Sequence, residues 1–262
     1  MINPLRRLFL RSAPPPPSRW RHFSSPVWPA AVYAIGDIHG CLRELQTLER
    51  IIIADAQSGD GPVWIVYLGD MIDRGPNPAG VIDHLLRPLS DRVKRICLGG
   101  NHEAMMLDFL AAQANMGWLN QGGAATLSSY VIDADAFARR SKQQRLNFLA
   151  SHIPAEHVQF LRSLLLTASL PGAVFVHAGL RHGVGLSQQR EEDLLWSRDT
   201  NRHQPWQAGT VVVHGHTPAQ EAVMLPHRIC VDTGAFATGR LTAVKLTEHG
   251  NPRLLSIVNH HH

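Results

Sequence analysis

From residue 31 onward the apolar positions follow two alternating patterns. Short β-branched runs, "AVYAI", "VWIVYL", "VKRICL", "AVFVHA" and "TVVVHG", are too apolar to face water and too short for buried helices. They predict central strands of a sheet covered on both faces. Between them lie positions at helical spacing: Leu42, Leu45, Leu48 and Ile52; Val81, Ile82, Leu85 and Leu86; Met105, Met106, Phe109 and Leu110; Val158, Leu161, Leu164 and Leu165. The alternation predicts an α/β chain. Residues 111–170 carry few strand signals, and "NQGGAATLSSY" followed by an arginine- and glutamine-rich stretch reads as a helical insertion. After residue 220, "HRICVDTGAF" and "GRLTAVKL" predict a β-hairpin joined near Gly239. The chain has no internal repeat.

Residues 1–30 break the pattern. "APPPPS" and "SSPVWP" have a backbone poor in hydrogen-bond donors and predict a disordered Pro/Arg-rich leader. Its charged residues are Arg6, Arg7, Arg11, Arg19 and Arg21, and no acid appears before Asp37. That composition also fits an organellar transit peptide, as the second reading beside an unstructured leader. The leader accounts for the formal charge of +4, because the remaining 20 basic residues face 21 acidic ones. Without a basic stripe in the body, no nucleic-acid partner is expected.

At 262 residues, 44% apolar, the chain is long enough to bury a sizeable core. No apolar run reaches the roughly eighteen residues a membrane-spanning helix needs, so a soluble, cytoplasmic protein without a membrane partner is expected, most simply a monomer. Cys41, Cys97 and Cys230 are widely spaced, with no Cys-x-x-Cys pair, and read as reduced, semi-buried thiols. Residues 257–262, ending in "HHH", read as a tail and a possible tag remnant. The folded domain is thus expected at 31–256.

The polar residues missing from the strands reappear at their ends. Asp37 and His39 follow the first; Asp70, Asp73 and Arg74 in "GDMIDRG" follow the second; Asn101, His102 and Glu103 in "GGNHE" follow the third. His177 in "VHAG" ends the fourth strand, and His214 and His216 in "VHGHT" end the fifth. Ligands bind in the crevice outside the carboxyl ends of α/β strands, so these groups are expected to converge. Carboxylate, imidazole and amide donors without cysteine suit Mn²⁺, Fe or Zn²⁺. Two Asp, three His and one Asn at the five strand ends make six donors, which exceed what one catalytic metal with an open position can use. They suit two, bridged by Asp70 in the middle of the sheet and roughly 3.5–4 Å apart.

"GDIHG", "GDMIDRG", "GNHE", "VHAG" and "HGHT", in this order, resemble the calcineurin-like metallophosphoesterase superfamily, and within it the bacterial phosphoprotein phosphatase branch. The resemblance covers residues 31–250 and implies a four-layer αββα sandwich. It implies Asp37, His39 and Asp70 on a first metal, with Asp70 shared with a second metal bound by Asn101, His177 and His216. Pro218 stands where the wider superfamily has a further histidine, so His214 is not expected to be a ligand. Arg74, and Arg198 in "LLWSRD", are the implied phosphate-binding guanidiniums. Arg198 has an alternative as a surface partner of Asp199. His102 is the implied proton donor, oriented by Asp73. Glu103, Asp232 and Thr233 are expected to support the site without binding metal.

The implied function is hydrolysis of phosphoserine or phosphothreonine in proteins by metal-activated water, without a phosphoenzyme, on a phosphoprotein or small phosphoester substrate. Two divalent ions are the implied cofactors, manganese first. The alternative is a symmetrical bis(5'-nucleosyl)-tetraphosphatase. Those enzymes tend to carry alanine at the position of Asp73 and aspartate at that of Glu103, so "DRG" with "GNHE" favours the phosphatase. A second alternative is an inactive phosphate-binding module.

Overall fold

The computed structural model describes residues 22–57, 59–112, 116–198 and 204–259. Its elements in chain order are β1 (His22–Ser24), β2 (Ala31–Ile35), α1 (Leu42–Ala56), β3 (Val63–Tyr67), α2 (Pro78–Leu86), β4 (Val93–Cys97) and α3 (Asn101–Ala112). A π-helical turn (Leu119–Gly123) then leads into α4 (Ala124–Ser129), α5 (Ala134–Ala138), α6 (Lys142–His152) and α7 (Ala155–Ser163). The remainder comprises β5 (Thr167–Leu170), β6 (Ala173–Val176), α8 (Glu191–Trp196), β7 (Val211–His214), β8 (Val223–Leu225), β9 (Arg228–Cys230), α9 (Ala235–Thr238), β10 (Arg240–Leu246) and β11 (Arg253–Val258).

The expected strands form two sheets, as the implied αββα sandwich requires and as the periodicity alone does not indicate. The first runs β11-β10-β2-β3-β4 and the second β1-β5-β6-β7-β9-β8. Side-chain alternation explains why both faces of each central strand are apolar. On β2, Tyr33 and Ile35 pack under the helices, with Leu45 and Leu48 of α1 and Ile82 of α2. Val32 and Ala34 instead meet Phe175, Val213 and Ile229 of the second sheet. The second sheet's outer face buries Val174, Val176 and Val212 against Leu194 of α8 and the loop residues Leu180 and Trp206. These are the four αββα layers, with the last reduced to one short helix and loops.

Register brings the functional edge level. Ile35 pairs with Tyr67 and Tyr67 with Cys97, so Asp37, Asp70 and Asn101 leave neighbouring parallel strands at one height. In the second sheet Phe175 pairs with Val213 and His214 with Cys230, which brings out His177, His216 and Asp232 together. Within the first sheet, the Gly36 N–H donates to Thr242 O at 3.1 Å and carries the β2–β10 pairing one residue past β2.

Several boundaries differ from the sequence reading. Residues 22–30, assigned to the leader, belong to the fold: β1 pairs in parallel with β5, and Trp28 Nε1 donates to Pro171 O at 2.9 Å. The leader's arginines lie outside the described residues. Ile257 and Val258, assigned to the tail, finish β11, because β10 offers its edge as far as the Arg240–Val258 pair. The insertion is helical through Ser163, but its last residues form β5. The predicted hairpin is not formed. β9 and β10 lie in different sheets, and the hairpins after residue 220 are β8–β9 and β10–β11. No described helix is long and apolar enough to cross a membrane.

A Cβ on Gly36 would stand 2.3 Å from Val231 O, a backbone atom held between the sheets. Gly36→Ala is therefore expected to lower the unfolding free energy by about 1–3 kcal/mol. Urea denaturation checks this, as a shifted midpoint at constant slope.

Candidate active site

Asp70 sits at the centre of the edge where the sheets meet. Its Oδ2 is 3.6 Å from His39 Nε2 and 3.9 Å from His102 Nε2, and its Oδ1 is 3.4 Å from His177 Nε2. Oδ1 also accepts the His102 N–H at 3.0 Å. Burial opposes ionisation of Asp70, but the charges available on His177, His102 and His39 outweigh it and hold its pKa below the usual carboxylate range. Each oxygen thus faces a different group of donors. Atoms of His39, Asp70 and His102 form one group within 4.8 Å that could hold a metal ion, and atoms of Asp70, His177 and His216 form another.

Three histidines are prepared as bare donors. The Nδ1–H of His39 donates to Ile72 O at 2.8 Å and that of His177 to Leu68 O at 2.9 Å, which leaves each Nε2 with its lone pair facing the site. Burial lowers the pKa of His39 to about 3 and of His216 to about 4, and it lowers that of His177. Asn101 Oδ1 lies 2.9 Å from His177 Nε2 and 3.0 Å from His216 Nδ1. At His177, whose proton is on Nδ1, the amide oxygen faces a bare ring nitrogen, acceptor to acceptor, an arrangement a cation resolves; the His216 Nδ1–H can donate to the same oxygen. His216 Nε2 is buried without a hydrogen-bond partner. This oxygen and nitrogen donor set fits hard or borderline divalent cations.

Asp37 lies beside these groups but outside both. Its two oxygens receive the His216 N–H at 3.1 Å each. Burial, then the charges of Asp232 and Asp70, raise its pKa well above 3.8. Asp232 is raised by burial to about 6 and hydrogen-bonds Asp37. Crowding three buried carboxyls together is costly, and bound positive charge would offset the cost.

His102 differs from the other histidines. Burial works against its charged form, but the hydrogen bond and charge of Asp73, with the charge of Asp70, outweigh it and raise its pKa above 6.5. His102 Nδ1 stands 2.7 Å from Asp73 Oδ2. At the mouth, the exposed Arg74 places Nη1 3.0 Å from His39 Nε2 and its guanidinium 4.9 Å from the centre of the Phe236 ring. Arg198 is exposed, and its charge reaches His216, whose pKa it helps to lower. Asp199 lies outside the described residues. His214 turns away, with Nδ1 2.8 Å from Gly215 O and Nε2 accepting from Arg228 Nε at 2.6 Å.

Glu103 holds two motifs together. Its carboxylate accepts the N–H groups of Gly100 at 2.8 Å, Asp70 at 2.9 Å, Met71 at 2.8 Å and Ile72 at 3.2 Å. Burial and the charge of Asp70 raise its pKa to about 7. Backbone strain gathers here as well. His39, Asp70, Asp73, Arg74 and His216 all have positive φ, and only Val131 joins them among the described non-glycine residues. Each such conformation costs about 1–2 kcal/mol. The sequence reading missed Trp118 and Thr126, whose side chains donate to Asp73 at 2.7 and 2.5 Å. A buried tryptophan next to a glycine pair was the available signal. It missed Phe236 too, which no motif marks.

Asp70→Asn, which weakens both donor groups at once, is expected to reduce bound Mn²⁺ as well as turnover. Elemental analysis after gel filtration checks it, and two retained equivalents of metal would count against a bridging Asp70.

A family model described as calcineurin-like phosphoesterase matches residues 30–254. The chain is 27% identical over 231 residues to serine/threonine-protein phosphatase 1 of Salmonella typhimurium, covering 87% of this chain and 93% of that one. It is 26% identical over 236 residues to the asymmetrical bis(5'-nucleosyl)-tetraphosphatase PrpE of Bacillus cereus, covering 82% and 89%. That tetraphosphatase is named asymmetrical, whereas the alternative weighed from the sequence is the symmetrical kind. Among solved structures, a candidate diadenosine tetraphosphatase superposes with a TM-score of 0.62 at 22% identity, covering 90% of this chain and 98% of that one. With the matched motifs supplying the paired donor groups around Asp70, the chain belongs to the calcineurin-like phosphoesterase family.

Proposed function

We propose that the protein is a serine/threonine phosphoprotein phosphatase, hydrolysing phosphomonoesters with two divalent cations, manganese first and iron or zinc as alternatives. In this reading Asp37, His39 and Asp70 hold one cation and Asp70, Asn101, His177 and His216 the other. Bound there, the cations would supply positive charge to the phosphoryl oxygens and would lower the pKa of water enough to make hydroxide available as the nucleophile near neutral pH. Arg74 and Arg198 grip the same oxygens from the mouth, where permanently charged planar guanidiniums can bind bidentately. His102 gives its Nε2 proton to the departing oxygen, and Asp73 on Nδ1 orients the ring and favours its charged form.

The observation that carries the proposal is the His102–Asp73 pair, 2.7 Å apart and buried. A serine or threonine alkoxide is a poor leaving group and needs a proton as it departs. A nucleotide leaves a polyphosphate chain as a stabilised anion and needs one far less. A retained, oriented proton donor therefore supports an alkyl phosphate substrate. Asymmetrical cleavage of dinucleoside tetraphosphates is the second reading, supported by the likeness to the Bacillus enzyme.

The Mn²⁺-loaded protein is expected to turn over phosphoserine and phosphothreonine peptides faster than diadenosine tetraphosphate. The reverse order, with ATP and AMP as products, would favour the second reading. His102→Asn is expected to keep both metals while losing about 10²–10⁴-fold in rate on phosphoserine peptides. Asp37→Asn is expected to lose metal, so elemental analysis beside kinetics separates the two roles. Arg198→Ala is expected to weaken phosphate inhibition by about tenfold to a hundredfold, the range for one charged hydrogen-bonding group. Unchanged inhibition would leave Arg198 as a surface residue.

A further inference from the structure

The turn that follows α3 grips both residues that the proposed chemistry needs held still. Trp118 Nε1 donates to Asp73 Oδ2 at 2.7 Å, and Thr126 Oγ1 donates to Asp73 Oδ1 at 2.5 Å. The same hydroxyl oxygen accepts the Asp73 N–H at 3.0 Å. One residue on, the Arg74 N–H donates to Gly122 O at 3.1 Å. Trp118 and Thr126 are fully buried, and the indole packs on Phe109 with ring centres 4.8 Å apart. Gly122 has a φ of 114°, and a Cβ there would lie 2.7 Å from Arg74 Cγ and 2.9 Å from Arg74 N.

We infer that the turn Trp118–Thr126 is a positioning element for the reaction: Trp118 and Thr126 fix the Asp73 carboxylate against His102, and Gly122 fixes the backbone of Arg74. The inference rests on the phosphatase reading above and deepens it. A carboxylate with one imidazole partner turns easily about its last torsion, and the ring follows. Donors on both oxygens fix the plane of the group. The remaining acceptor direction on Oδ2 then points at His102 Nδ1. Both donors are neutral, so they hold the carboxylate without adding a cation to compete with the imidazolium. Asp73 and Arg74 have φ values of 70° and 65°, a shape the dipeptide does not keep unaided. The helical insertion, on this view, completes the proton donor.

The test compares two leaving groups in Trp118→Phe, which removes the indole donor with part of the buried ring, and in Thr126→Val, which is close in shape and removes the hydroxyl that donates to Asp73 Oδ1 and accepts the Asp73 N–H. Rates are taken per bound manganese, so a loss of folded protein does not count. Nitrophenolate departs without a proton; a serine alkoxide does not. Trp118→Phe and Thr126→Val are expected to lower kcat/KM on a phosphoserine peptide about tenfold to a hundredfold, and on para-nitrophenyl phosphate less than about threefold. Thr126→Ser should restore the peptide rate. Gly122→Ala should lower both substrates alike, because Arg74 serves both. Equal losses on the two substrates in Trp118→Phe and Thr126→Val, or no loss, would overturn the inference while the unaltered protein remains active. An unaltered protein that turns over neither substrate overturns the phosphatase reading and this inference with it.

Discussion

Everything at this site follows from burying Asp70 among ionisable neighbours. An unpaired carboxylate taken out of water costs several kcal/mol, so the fold must deliver opposite charge or hydrogen-bond donors to both of its oxygens. It does so from two directions. His39 and His102 lie beside Oδ2, where His102 favours its charged form, while the His102 N–H donates to Oδ1 and the bare Nε2 of His177 stands beside it, as that of His39 does beside Oδ2, placed to share a cation with the carboxylate. One sheet supplies the first pair and the aspartate, and the other supplies His177. The donor groups therefore exist only as long as the two sheets stay in register and in contact. The apolar layer between the sheets, Val32, Ala34 and Val66 against Phe175, Val213 and Ile229, provides that contact.

The loops carry the cost of aiming these groups. A chain leaving a strand and entering a helix must turn within a few residues, and here it must also point two polar side chains at one place. Left-handed conformations at His39, Asp70, Asp73, Arg74 and His216 solve the geometry. Backbone hydrogen bonds hold them there. The N–H groups of Ile38 and His39 both donate to Asp70 O, at 3.1 and 2.8 Å, which locks the first motif onto the second. Glu103 locks the third motif onto the second through four N–H groups. Metal and phosphate chemistry tolerates errors of about half an ångström, and cross-links of this kind give that precision.

Relatives acting on esters and on anhydrides share this family because both reactions ask the same thing of the floor: concentrated positive charge opposite phosphorus. They differ in what leaves. In the proposed reading, substrate preference belongs to His102 and to the rim, where Arg74 lies over Phe236 and its N–H donates to Gly122 O of the insertion. The floor fixes the reaction class, and its surroundings select the leaving group.

The sequence by itself determined the residue types and their order: apolar runs for strands, helical spacing between them, and Asp, His and Asn at strand ends. Those features are local, and local patterns survive without coordinates. Only the tertiary structure decided which strands join which sheet, that "HRICVDTGAF" and "GRLTAVKL" belong to different ones, and that residues 22–30 add an edge strand. It also decided that His102 shares a donor group with Asp70 while Asp37 turns toward Asp232, and that Trp118, about 45 residues beyond Asp73, completes its hydrogen bonding. The physical reason is that distances between atoms on different strands are set by packing and register, and spacing along the chain carries no information about either.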